Sequence, residues 1–230
     1  MTLIVNTEED NVVEFPLRGE WTAINTPAHR IPSHGTDKLG MRYAFDFIRR
    51  SWKLLMYLST KKEFHHWFGR VSVKECFGWS QPVYSPFEGK VVTMRDGWPD
   101  IMEINSLRDS FNVLFRTPKI SGDDFRPLAG NHVIVHSEHC SALLAHLRNG
   151  SVKVAEGQHV KVGDLLGEVG NSGNTTGPHL HFQLMKGDNP FTATGLPCRF
   201  RSYECYRHGS WETATNGIPG RLERIRYKVE

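Results

Sequence analysis

No apolar run in the sequence is long enough to cross a membrane as a helix; the nearest, Leu54–Leu58, falls far short of the roughly 20 residues required. The opening residues, MTLIVNTEED, carry no basic segment ahead of the apolar stretch and turn acidic at once. They do not read as a secretory signal, so the sequence by itself points to the cytoplasm. There is no C-x-x-C pair, which leaves a cysteine zinc site or a thioredoxin-type dithiol without support. The four cysteines lie at 76, 140, 198 and 205. Cys198 and Cys205 could form a local disulfide in an oxidising compartment; without a signal segment, buried free thiols are the expectation. No block of consecutive Lys or Arg occurs, and the net charge is only +3. That balance tolerates an anionic surface but specifies neither nucleic acid nor membrane. An H-E-x-x-H helix is also missing, as are paired carboxylates in a recognisable glycosidase arrangement.

What is present describes a globular chain. It has 230 residues, 39% hydrophobic and 23% charged, enough for one or two domains and for a core that needs no disulfides. Val12–Phe15 and the aromatic run Tyr43–Phe47 read as strands, separated by a turn-rich loop from Pro27 to Gly40. PVYSPFEGKVVTM, Asn112–Arg116, Asn131–Ser137 and Ser141–Leu147 read as further strands, and the stretch from Val152 to Met185 is punctuated by glycine turns. Short strands at this spacing, without a convincing helix period, predict an all-β fold, an antiparallel sheet or sandwich. A single domain is expected, with its core at about 30–48 and 82–185. Residues 49–81 read as an irregular or partly helical insertion, and 190–230 as a tail or covering segment.

Three places carry chemistry. In GPHLHFQL, strand alternation puts His179 and His181 on one face, roughly 6.6–7 Å apart. Taken alone, H-x-H is more often a pair of surface histidines. His146, in LLAHL, stands between apolar neighbours at a strand end, where a satisfied core histidine is the commoner outcome. His34 lies in the polar loop before the strand that holds Asp46. An acid within an apolar strand needs a partner. Two histidines and one carboxylate suit catalytic zinc, which takes three protein ligands and keeps one position open. His132, His136 and His139 read as wall or surface positions, and His65 and His66 are assigned nothing.

The order SHGTDKLGMRYAFDF, PVYSPFEGKVV, GNHVIVHS, LLAHL and VAEGQHVKVGDLLGEVGNSGNTTGPHLHF resembles the lysostaphin-like, LytM-type zinc metallopeptidases over about residues 30–47 and 82–185. The resemblance implies an antiparallel β domain of the duplicated hybrid motif type, built around a groove. It implies one zinc ion per chain on His34, Asp46 and His181, with His146 and His179 as catalytic histidines that are not ligands. It further implies hydrolysis of peptide bonds in bacterial peptidoglycan, work the family does in the periplasm or outside the cell. The partner expected is therefore a peptidoglycan peptide, with neither nucleic acid nor an integral membrane segment involved. His34 and Asp46 stand twelve residues apart, more than the family's usual spacing, and Asp37 lies closer. Asp46 is preferred because a strand fixes its position, whereas Asp37 can remain solvated in a turn. Three other readings exist: a non-catalytic LytM-type regulatory domain, which would lack ligands; a biotinyl/lipoyl-like carrier, which would need a modifiable lysine and has no use for H-L-H; and a structural zinc protein, in which the fourth coordination position would be closed by protein.

Overall fold

The computed structural model describes residues 11–50, 70–105, 109, 111 and 124–227. The strand expected at 112–116, and most of the insertion expected at 49–81, lie outside these residues. Among the described residues sixteen strands follow one another, beginning with β1 (Asn11–Val13), β2 (Glu20–Asn25), β3 (Phe45–Ile48), β4 (Val71–Ser72), β5 (Pro82–Tyr84), β6 (Gly89–Arg95), β7 (Glu103–Ile104) and β8 (Asn131–His136). They continue as β9 (Ser141–Leu147), β10 (His159–Val160), β11 (Leu165–Glu168), β12 (His179–Lys186), β13 (Thr194–Leu196), β14 (Cys198–Arg207), β15 (Ser210–Gly217) and β16 (Arg224–Tyr227). Among the described residues helical structure is slight: 3₁₀ turns at Lys38–Tyr43 and Val73–Glu75, an α turn at Arg126–Ala129, and helical conformation at Asp109 and Phe111. The all-β expectation holds.

Twelve strands form one sheet in the order β1-β14-β16-β2-β3-β12-β9-β8-β6-β10, with β13 also on β12 and β15 also on β14. Every pairing in it is antiparallel except β1 with β14. β5 and β11 form a separate pair, as do β4 and β7.

Strand alternation divides the centre of the sheet into two faces. Phe45 and Phe47 of β3, Leu180 and Phe182 of β12, Ala142 and Leu144 of β9, and Val133 and Val135 of β8 all enter the main core. There they meet Phe15, Leu17, Val83, Leu166 and Val169 from outside those strands. The intervening residues of β8, β9 and β12, namely Ile134, Leu143, Ala145 and Met185, pack a second, smaller cluster with Phe125 on the opposite face. Asp46 and His181 belong to that second face, and the register sets them directly opposite each other.

From Pro190 onward, where proline and glycine breaks suggested a tail or covering segment, four strands join the main sheet. Phe200 of β14 is fully buried and meets Phe15 at 5.2 Å and Phe45 at 5.3 Å between ring centroids. Burying such a side chain contributes roughly 1.5–3 kcal/mol. All four cysteines are free and buried, including Cys198 and Cys205.

Candidate active site

Asp46 stands between two phenylalanines, and the pleat of β3 turns its carboxylate to the face opposite theirs. It is 6% exposed. Asn25 Nδ2 donates to Oδ2 at 2.6 Å. His34 Nε2 lies 2.9 Å from Oδ2, His181 Nδ1 lies 2.9 Å from Oδ1, and His179 Nε2 lies 3.7 Å from Oδ1. Burial alone would raise the Asp46 pKa. The surrounding imidazoles of His34, His181 and His179 outweigh it and hold the carboxyl well below its usual range. One donor atom each from His34, Asp46 and His181 lies within 4.8 Å of the others.

The hydrogen bonds behind these side chains decide which ring nitrogens carry protons. Gln183 Nε2 donates to the Leu39 carbonyl at 2.8 Å, so its Oε1 is the atom that faces His181 Nε2 at 2.9 Å. An amide oxygen only accepts, so His181 Nε2 carries the proton and neutral His181 turns a lone pair on Nδ1 toward Asp46. Ser33 Oγ donates to the Met41 carbonyl and lies 3.1 Å from His34 Nδ1. With that hydroxyl proton committed, His34 Nδ1–H donates to Oγ, and the Nε2 lone pair faces Asp46. Two nitrogen lone pairs and two carboxylate oxygens thus point at one another in a buried site, and only a proton or a cation relieves that arrangement. A set of two imidazoles and one carboxylate suits Zn²⁺. Burial opposes charge on His181, but the bond to Asp46 prevails and raises its pKa.

His146 and His179 form a second pair, with ring centroids 4.6 Å apart. His146 Nδ1 lies 2.8 Å from the Ser172 carbonyl and His179 Nδ1 lies 2.8 Å from the Gly177 carbonyl. Each Nδ1–H therefore donates, leaving Nε2 as the acceptor. Burial pushes His146 well below the usual histidine value, and His179 below it as well. Both are neutral at neutral pH and able to take up a proton. The structure thus brings all five residues singled out in the sequence, His34, Asp46, His146, His179 and His181, to one place.

His146 reaches this face through a break in strand phase. Along β9, Ala142 and Leu144 enter the main core, and Leu143 and Ala145 the second cluster. Strict alternation would send His146 into the main core. Instead it adopts φ +61°, and Leu147 takes the core position. The register between β8 and β9 shifts at the same point, between Asn131 and Val133. A bulge of this kind re-aims a side chain at the cost of local strain.

Beside the histidines lies a cavity of about 200 Å³ lined by His34, Leu39, Met41, Phe125, Leu128, Ala129, Leu143, Ala145, His146, Asn174 and His181. One wall is imidazole and the others are almost wholly aliphatic or aromatic. Reading the sequence missed Asn25, Ser33, Ser172 and Gln183. The only signal for Gln183 was its place two residues beyond His181 on the same face of an alternating strand.

Residues 119–193 match the model of Peptidase family M23. The match includes His146, His179 and His181 and excludes His34 and Asp46. The peptidoglycan DD-endopeptidase ShyA of Vibrio cholerae is 36% identical over 67 residues, 29% of this chain and 15% of that protein. ShyB of the same organism, also a peptidoglycan DD-endopeptidase, is 29% identical over 113 residues, 49% of this chain and 19% of that protein. The chain thus spans less than a fifth of the length of these curated relatives. The catalytic domain of the antimicrobial peptidase lysostaphin from Staphylococcus simulans superposes with a TM-score of 0.38 at 19% identity, over 77% of this chain and 88% of that one. The family match and the curated relatives bear out the resemblance to lysostaphin-like, LytM-type peptidases and support a peptidase.

Proposed function

We propose that this chain is a zinc-dependent endopeptidase of bacterial cell-wall peptides, with His34, Asp46 and His181 as ligands of one zinc ion and His146 and His179 as its catalytic histidines. The observation that carries the reading is the convergence of His34, Asp46 and His181, whose donor atoms lie within 4.8 Å of one another, a donor set that suits a cation. A zinc ion held there supplies Lewis acidity and brings the pKa of water from about 15.7 to near 7. Asn25 orients the carboxylate. His146 and His179, neutral and anchored through Nδ1–H, each offer Nε2 as a proton acceptor. One takes the proton of the attacking water. The histidine that has taken this proton then carries Nε2–H, stabilises the negative oxygen of the tetrahedral species and passes the same proton to the leaving amine, while the other accepts a hydrogen bond from the water and orients it. The aliphatic walls of the neighbouring cavity suit a small apolar side chain, such as that of alanine, next to the scissile bond. The carrier reading leaves four converging imidazoles without a task.

The test is digestion of purified peptidoglycan with and without a zinc chelator, followed by mass analysis of the fragments. New amino and carboxyl termini that disappear with the chelator are expected. New reducing sugar ends without them, or cleavage indifferent to the chelator, would overturn the proposal.

A further inference from the structure

We infer that the turn Lys38–Tyr43 fixes the tautomers of both candidate histidine ligands through two side-chain relays, which makes Gln183 and Ser33 positioning residues for the metal. This inference rests on the proposed zinc site. One relay runs from the Leu39 carbonyl to Gln183 Nε2–H at 2.8 Å, and from Gln183 Oε1 to His181 Nε2–H at 2.9 Å. The other runs from the Met41 carbonyl to the Ser33 hydroxyl at 3.3 Å, and from Ser33 Oγ to His34 Nδ1–H at 3.1 Å. Both start at backbone carbonyls, which can only accept. Each relay therefore transmits a fixed donor–acceptor sense and ends with the lone pair of one histidine turned toward Asp46.

The turn is built for this task. Leu39 adopts φ +60° and Gly40 φ +72°, the left-handed region, and these successive angles set the direction of the Leu39 carbonyl. A Cβ at Gly40 would come within 2.8 Å of Gln183 Nε2 and of Met185 Cγ, so glycine permits the close approach of the turn to the amide. Gln183 and Ser33 are each 1% exposed, which leaves no competing water to satisfy the imidazole N–H groups. The backbone of the same turn also holds the loop of His34, through Ser33 N–H donating to the Arg42 carbonyl at 3.0 Å. One short segment thus governs two ligands that are far apart in sequence. Groups that orient a ligating histidine in this way are worth about 10- to 100-fold in metal affinity.

The experiment measures zinc affinity by chelator competition for the whole chain and for Gln183→Leu, Gln183→Glu and Ser33→Ala. The ring ¹⁵N shifts of His181 in the zinc-free protein, recorded at a pH high enough for the ring to be neutral, report its tautomer directly. Gln183→Leu is expected to weaken zinc about 10- to 100-fold and to give a mixture of His181 tautomers where the parent shows Nε2–H alone. Ser33→Ala is expected to weaken zinc by a similar factor. Gln183→Glu keeps an acceptor opposite Nε2–H but sets a second oxygen against the Leu39 carbonyl, and it is expected to weaken zinc less than Gln183→Leu while falling short of the parent. Two results would overturn the relay: zinc affinity of Gln183→Leu within about threefold of the parent, or Gln183→Glu behaving no better than Gln183→Leu. A parent chain that binds no zinc, or a His181→Ala variant that binds it as tightly, would instead overturn the metal site itself.

Discussion

Substituting Gly40 by alanine tests the coupling of turn to metal without changing any proposed ligand. Two costs are expected, and they can be separated. An L-residue held near φ +72° costs about 1–2 kcal/mol of stability. The added Cβ would also meet Gln183 Nε2 at 2.8 Å and the Met185 side chain at 2.8 and 2.9 Å. Something must shift, and the Gln183 amide is the mobile partner, held only by the Leu39 carbonyl and His181. Moving it releases His181, with an expected fall in zinc affinity of about 10- to 100-fold, equivalent to about 1.4–2.7 kcal/mol. Gly97 provides the control: its φ is +85°, and a Cβ there would meet nothing within 4 Å. Gly97→Ala carries the backbone cost alone. Urea unfolding in chelator should show both variants destabilised, and chelator competition should show weakened zinc only for Gly40→Ala. Equal zinc affinities for the two variants would refute the reasoning.

The proposed ligand role of Asp46 predicts that Asp46→Ala loses stoichiometric zinc while Asp37→Ala keeps it, because Asp37 is exposed and engaged with Arg42; metal analysis giving the reverse would move the ligand to Asp37. His146→Ala should retain zinc and lose activity by about 10²–10⁴-fold, and loss of the metal along with activity would make His146 a ligand. Because burial pushes His146 and His179 below the usual histidine value, their proton-accepting form persists as pH falls. The acid limb of kcat/KM should therefore lie below about pH 6.5, and half-loss above that pH with zinc still bound would contradict the assignment. His132 concerns stability: burial pushes its pKa down to about 4, so between about pH 6.5 and 4 the unfolded chain binds a proton that the folded chain refuses. Its contribution is complete above pH 6.5 and falls by about 2 kcal/mol from pH 7.5 to pH 5. Urea unfolding in chelator should show that increment in the parent relative to His132→Phe, and parallel pH dependences would disprove it.

Much of the centre was legible because it depends on strand alternation. His179, His181 and the aromatic run around Asp46 follow a period of two, and that period alone assigns the carboxylate to the face opposite Phe45 and Phe47. His146 was legible only through family resemblance. Its face results from a left-handed residue in a bulge, which a regular period sends the wrong way. His132 was expected at a wall or surface but is 2% exposed, because Phe125 packs edge-on against it. Gln183 and Ser33 were not legible, since their roles depend on backbone carbonyls whose directions local sequence does not encode. The strands after Pro190 were hidden because β15 is largely exposed and β14 alternates polar with apolar residues, a pattern shared with surface hairpins.

The position of β14 and β16 between β1 and β2 has a consequence for biosynthesis. β2 precedes its outer neighbour, Arg224–Tyr227, by about two hundred residues, and β1 likewise waits for Cys198–Phe200. During translation β2 and β3, the latter bearing Asp46, form an edge with unsatisfied backbone groups. Such an edge invites pairing with other nascent chains. Closure therefore comes through contacts about two hundred residues apart in sequence, and this topology favours slow assembly. A ribosome-stalled chain ending near Met185 would hold every histidine discussed above and still lack the strands that cover β2, so the site's residues are complete before the sheet around them is.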